Sequence, residues 1–132
     1  MIFLPLQTIV NKDFEEYIKT KGEPVAYYSL PEFKNSDLVI NLTGDGMREK
    51  YCSGDKIALK ILSNADEIIF GFDYAVWLND SVETALVRQI LQGNNEDTLI
   101  LHAYNPIRED MIIPKDKIKY VGRIIALIRT NL

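Results

Sequence analysis

The sequence predicts a mainly β fold, and three observations carry that expectation. Apolar runs of about five to eight residues, rich in Ile, Val, Leu and Tyr, recur at short spacing. Turns built from Gly, Asn and Asp separate them, at Gly44-Asp45-Gly46, Gly54-Asp55, Asn79-Asp80-Ser81 and Gly93 to Asp97. Only one stretch, Asp13 to Lys21, places its apolar residues at helical spacing. With no internal repeat, low-complexity tract or interdomain linker, residues 1–132 read as a single domain.

Ile2 to Val10 alternates in part, but Pro5 lacks an amide donor and confines it to a sheet edge. In the helical stretch Asp13 can cap, Glu16 follows three residues on, and Phe14, Tyr17 and Ile18 share one face. Gly22 and Pro24 end it, and the bland reading is an amphipathic packing helix. Tyr27 to Phe33 then leads into the core. Leu38 to Leu42 and Lys56 to Leu62 are strands flanking the two glycine turns. Glu67 to Leu78 is the most β-prone run, with Gly71 marking a bend or bulge inside it. Thr84 to Leu91, Thr98 to His102 and Met111 to Pro114 are further strands, and Lys115 to Lys119 is a polar link. Tyr120 to Arg129 closes the chain as a long apolar strand.

Composition narrows the function. A chain of 132 residues with 47% hydrophobic content can bury a core, and 26% charged residues argue against disorder. The formal charge of −4 lacks the basic surplus of a direct nucleic-acid binder. One cysteine, Cys52, permits no internal disulfide and fits a reducing, cytoplasmic setting. The apolar start is short, holds Pro5 and lacks a basic leader, so it reads as a strand rather than a signal peptide. No apolar run reaches the ~20 residues a membrane-spanning helix needs, so no membrane partner is expected. One His and one Cys are too few for a structural metal site, and no cofactor is implied.

The chemistry concentrates at Gly44-Asp45-Gly46-Met47 and Gly54-Asp55, two turns between apolar strands. This pattern resembles the signature of LexA-type and phage-repressor C-terminal domains, a family of self-cleaving serine peptidases. In that family the run is Gly-Asp-Ser-Met, then Gly-Asp, then an apolar strand. Leu86-Val87-Arg88-Gln89 resembles the family's later Leu-Val-Lys-Arg, and Asn105-Pro106 resembles the end of its Ser-Asp-Asn-Pro turn. The Leu30-Pro31-Glu32-Phe33 lead-in is also similar. The resemblance spans about Leu30 to Ile128 and implies a bent, multi-strand β assembly of the LexA/signal-peptidase-like type.

The resemblance also implies a serine–lysine dyad, in which a neutral lysine takes the serine proton and backbone donors hold the oxyanion. Here the serine position holds Gly46, which has no side chain, and the lysine position holds Arg88. Arginine, with a pKa above about 12, stays charged and cannot be that base. The family's Ala-Gly or Cys-Gly scissile pair is also missing from residues 1–40, whose single glycine is Gly22 after Lys21. Catalytic residues are therefore expected to be none, with Gly46 and Arg88 as vestigial dyad positions. The glycine at 46 is expected to relieve backbone strain, and Asp45 is a candidate partner for Arg88. Asp45 and Asp55 otherwise hydrogen-bond local backbone donors.

The expected function is a non-catalytic homologue acting in dimerisation and regulation of a phage-type transcriptional regulator. DNA would be reached only through an N-terminal domain outside this chain. The dimer candidates are Val121, Ile124, Ile125, Leu127 and Ile128 on the closing strand, which pairs with its copy if it is an edge. If the strand is central, its apolar residues are core instead. Two alternatives stand beside this reading. One is a peptidase with a displaced nucleophile, Cys52 with His102 as base; the other is a peptide-binding module using the vacant cleft.

Overall fold

In the computed structural model, residues 2–3, 36–42, 44–79 and 81–129 are described. The expected helix at 13–21 and the lead-in at 27–33 lie outside these residues. Among the described residues there are eight strands: β1 (Ile2–Phe3), β2 (Leu38–Asn41), β3 (Lys56–Ile61), β4 (Asp73–Leu78), β5 (Ser81–Gln92), β6 (Thr98–His102), β7 (Met111–Pro114) and β8 (Ile118–Ile128). They form one antiparallel sheet in the order β1-β2-β3-β8-β4-β5-β6-β7. The mainly β expectation holds among the described residues, with two short 3-10 turns, Ala65–Glu67 and Lys115–Lys117, as the helical pieces.

β4 is apolar on both faces and packs on both. All six of its residues are buried, and alternate side chains enter opposite clusters. Ala75 and Trp77 pack with Leu38, Ile40, Ile57, Leu59, Val87 and Tyr120. Tyr74, Val76 and Leu78 pack with Ile90, Leu99, Leu101, Ile113 and Val121. A strand apolar on both faces needs cover on both. Register shifts between Ala58 and Leu59, and around Val76, Trp77 and Leu78, mark β-bulges or irregularities in these ladders.

Two expectations need correction. The run Glu67 to Leu78 is not one strand. The strand begins at Asp73, and residues 68–72 turn against β5 through Gly71 N–H to Ile90 O and Ile90 N–H to Phe72 O. Gly71 has φ +96, which a β-branched or aromatic side chain there would oppose. The second correction concerns β8, which is not an edge strand. It lies between β3 and β4, and Val121 is buried in the core. The ladder to β4 covers Ile118 to Arg123, whereas Ile124 to Ile128 pair with β3 alone among the described strands. Ile125 and Leu127, on that singly paired half, are more than a third exposed.

Candidate functional site

The strand β2 delivers the chain into the first glycine turn, and β3 receives it from the second. Leu42 N–H donates to Asp55 O (2.8 Å) and Gly54 N–H to Leu42 O (3.0 Å), so the two turns are laced together. Gly44 and Gly54 both sit at φ +94, a conformation that only glycine adopts without strain. Met47 is a buried plug in the core, and Tyr51 N–H to Met47 O closes the following loop. These contacts hold the polypeptide between Gly44 and Met47 in one place.

Gly46 and Arg88 meet there. A Cβ built on Gly46 would lie within the Arg88 guanidinium, 2.6 Å from Nη2 and closer still to Cζ and Nη1. The backbone of Gly46 is not in the left-handed region. This corrects the expected reason for the glycine: side-chain space, not backbone strain, requires it. The two positions share a cleft of about 200 Å³, walled by Leu42, Met47, Ala85, Leu86, Val87 and Arg108.

Asp45 is not the partner of Arg88. Its carboxylate is taken in a fork by Arg108, which donates Nε–H to Oδ1 (2.8 Å) and Nη2–H to Oδ2 (3.1 Å). That hydrogen bond holds the Asp45 carboxyl below its ordinary range. Arg88 instead donates Nη1–H to Val87 O (2.8 Å), and its buried Nε has no acceptor among the described residues. Burial first, and then the charge of Arg108, lower its pKa, against a weaker opposing pull from Asp45.

A third element reaches the turn from the loop after β6. Buried Asn105 donates its backbone N–H to Gly46 O (2.9 Å) and Nδ2–H to Asp45 O (2.9 Å). Its Oδ1 accepts from Ile107 N–H (3.2 Å), and its carbonyl from Arg108 N–H (3.0 Å). The Asn-Pro turn therefore clamps the glycine turn and aims Arg108 at Asp45. Sequence reading noticed Asn105 but gave it no role, and it missed Arg108. Asp45 and Arg108 are 63 positions apart, and no local pattern links them.

The second turn is built similarly. Asp55 accepts from Cys52 N–H (2.8 Å), as the sequence suggested, and also from Arg129 through Nε (2.9 Å) and Nη2 (2.7 Å). Arg129 is the leading cause that keeps this buried carboxyl below its ordinary range. Cys52 Sγ–H donates to Glu49 O at 3.6 Å, while His102 Nδ1 lies 2.8 Å from Asp110 Oδ1. Among the described residues no hydrogen bond joins Cys52 to His102. A further pair lies beside the turns, where Tyr51 donates its hydroxyl to buried Asp73 (2.8 Å), which Lys50 also pairs (2.7 Å). Burial and that carboxylate push the Tyr51 phenol well above its ordinary range.

Along the chain these parts run in the order glycine turn, second Gly-Asp turn, β5 with Arg88, then the Asn-Pro clamp. A family model described as Peptidase S24-like matches residues 7–125. The chain belongs to the Peptidase S24-like family. This is the class of LexA and phage-repressor C-terminal domains, which are self-cleaving serine peptidases. The fold is that of the S24-like family. In this member the turn and β5 are brought together as a cleft, with a glycine and an arginine facing each other across it.

Proposed function

We propose that this S24-like domain is non-catalytic and serves in assembly and regulation of a cytoplasmic, phage-type transcriptional regulator. One observation carries the reading: the Arg88 guanidinium occupies the space into which a side chain at position 46 would project. No nucleophilic atom exists at 46. The facing group is a permanent cation, which has no lone pair to accept a proton. Loss of one member of a serine-based catalytic unit lowers the rate by about 10⁶ in the best-measured case, and removing a second adds little.

An assembly role draws support from β8. Its half from Ile124 to Ile128 has one described neighbour, β3, and exposes Ile125 and Leu127. A second copy could add its own strand there across a two-fold axis. Val121 and Ile124 would then support the strand from the core side rather than touch the copy. DNA contact would belong to another domain of the regulator.

Self-cleavage tests the reading. Prolonged incubation at raised pH should leave the intact mass unchanged by mass spectrometry. Fragments whose formation is abolished by Cys52→Ala would instead establish a displaced nucleophile.

A further inference from the structure

Among the described residues, the cleft carries more positive charge than it neutralises: Arg88 and Arg108 both line it, and Asp45 is the one carboxylate on its wall. Both Asp45 oxygens are already engaged by Arg108. Arg88 makes a single described hydrogen bond, Nη1–H to Val87 O. Nη2 has no acceptor among the described residues. A guanidinium that lines the cleft with a donor to spare suits an anion at hydrogen-bond distance.

From this we propose that the cleft is a recognition site for a carboxylate presented by a peptide, with Arg88 as its anchor. The claim rests on the non-catalytic reading, because a working dyad would need this same space. Three features favour a carboxylate over other anions. The guanidinium edge formed by Nη1 and Nη2 is planar and matches two carboxylate oxygens. The remaining walls, Leu42, Met47, Ala85, Leu86 and Val87, are aliphatic and suit the apolar stem that carries such a group. The volume of about 200 Å³ holds one side chain or one chain terminus rather than a larger ligand. Gly46 matters because any larger residue would displace the anchor.

The test is an NMR titration of the full chain at constant ionic strength, following the amides of Gly46 and Met47 and the Nε–H of Arg88. Four probes separate the sources: Ac-Ala-Glu-Ala-NH2 for a side-chain carboxylate, Ac-Ala-Ala-Ala-OH for a terminal one, Ac-Ala-Gln-Ala-NH2 as the neutral twin, and inorganic phosphate. At least one carboxylate peptide should give saturable shifts at about millimolar concentration, at least about tenfold tighter than the neutral peptide. Arg88→Gln should weaken that peptide by a similar factor, and Arg88→Lys by less, because Lys keeps the charge but loses the fork. Equal response to the Glu and Gln peptides, saturation by phosphate alone, or unchanged binding by a folded Arg88→Gln variant would overturn the proposal. The Glu–Gln comparison uses the native chain, so it decides even if the variants fail to fold. Self-cleavage fragments would refute the non-catalytic reading by a separate measurement.

Discussion

The contact between Gly46 and Arg88 predicts a coupling that can be measured as stability. Gly46→Ser places a Cβ inside the guanidinium, so Arg88 must swing away. The move is sterically easy, because the obstructing atoms end a flexible side chain, but it breaks the bond to Val87 O. A hydrogen bond from a charged donor contributes about 1.5–3 kcal/mol. Part of that is returned when the guanidinium, whose buried Nε has no partner among the described residues, regains water. The expected cost of Gly46→Ser is therefore about 1–2 kcal/mol. Arg88→Lys alone should cost about 1 kcal/mol or less, since it removes the same bond and the same desolvated fork. In the double variant the serine occupies space the guanidinium has left, and the two costs should not add. Urea unfolding of the four proteins, read as midpoint shifts at constant m, gives the coupling directly. A coupling of about 1 kcal/mol is expected, and additivity within about 0.5 kcal/mol would refute the claim that these residues share one space.

Further outcomes can be checked. The same double variant should cleave a supplied peptide containing Ala-Gly at raised pH, while each single variant stays inert by mass spectrometry; cleavage by Gly46→Ser alone would remove Arg88 from the base position. Asn105→Ala strips a buried clamp from the carbonyl of Asp45 and from Ile107 N–H, so thermal or urea unfolding should show a loss of about 1–3 kcal/mol. Asp55 has a depressed pKa in the fold, so its contribution is present above the ordinary aspartate range, about pH 4, and is lost as pH falls through the lower folded value. Removing its main partner with Arg129→Ala should flatten that acid limb of the stability profile, and an unchanged limb would contradict the assignment. Light scattering at high micromolar concentration should report a dimer that Leu127→Asp converts to a folded monomer, whereas a monomeric native chain would exclude the β8 contact.

Much of the architecture could be read from the linear order of residues because its causes are local. Thr98 to His102 and Met111 to Pro114 are strands with the expected bounds, since alternating apolar residues between turn formers specify a strand without outside help. The glycines at 44 and 54 were likewise legible as turn positions, and their φ of +94 shows the backbone demand. Glu67 to Leu78 was misread because its first half is apolar and β-prone yet exposed: Ile69, Phe70 and Phe72 lie on the surface, leading into the strand through Gly71. Periodicity records hydrophobicity, not whether a neighbour is available to cover it.

The sequence by itself determined that a hydrogen atom stands at 46 and a guanidinium at 88, since atoms present or absent need no coordinates. It also determined the family pattern in which those positions fall. Only the tertiary structure decided that the two meet, that Arg108 rather than Arg88 holds Asp45, and that β8 runs through the middle of the sheet. The physical reason is separation along the chain. The pairs Asp45–Arg108 and Asp55–Arg129 are 63 and 74 positions apart, and which cation reaches which carboxylate depends on how antiparallel strands stack, information that no window of neighbouring residues contains.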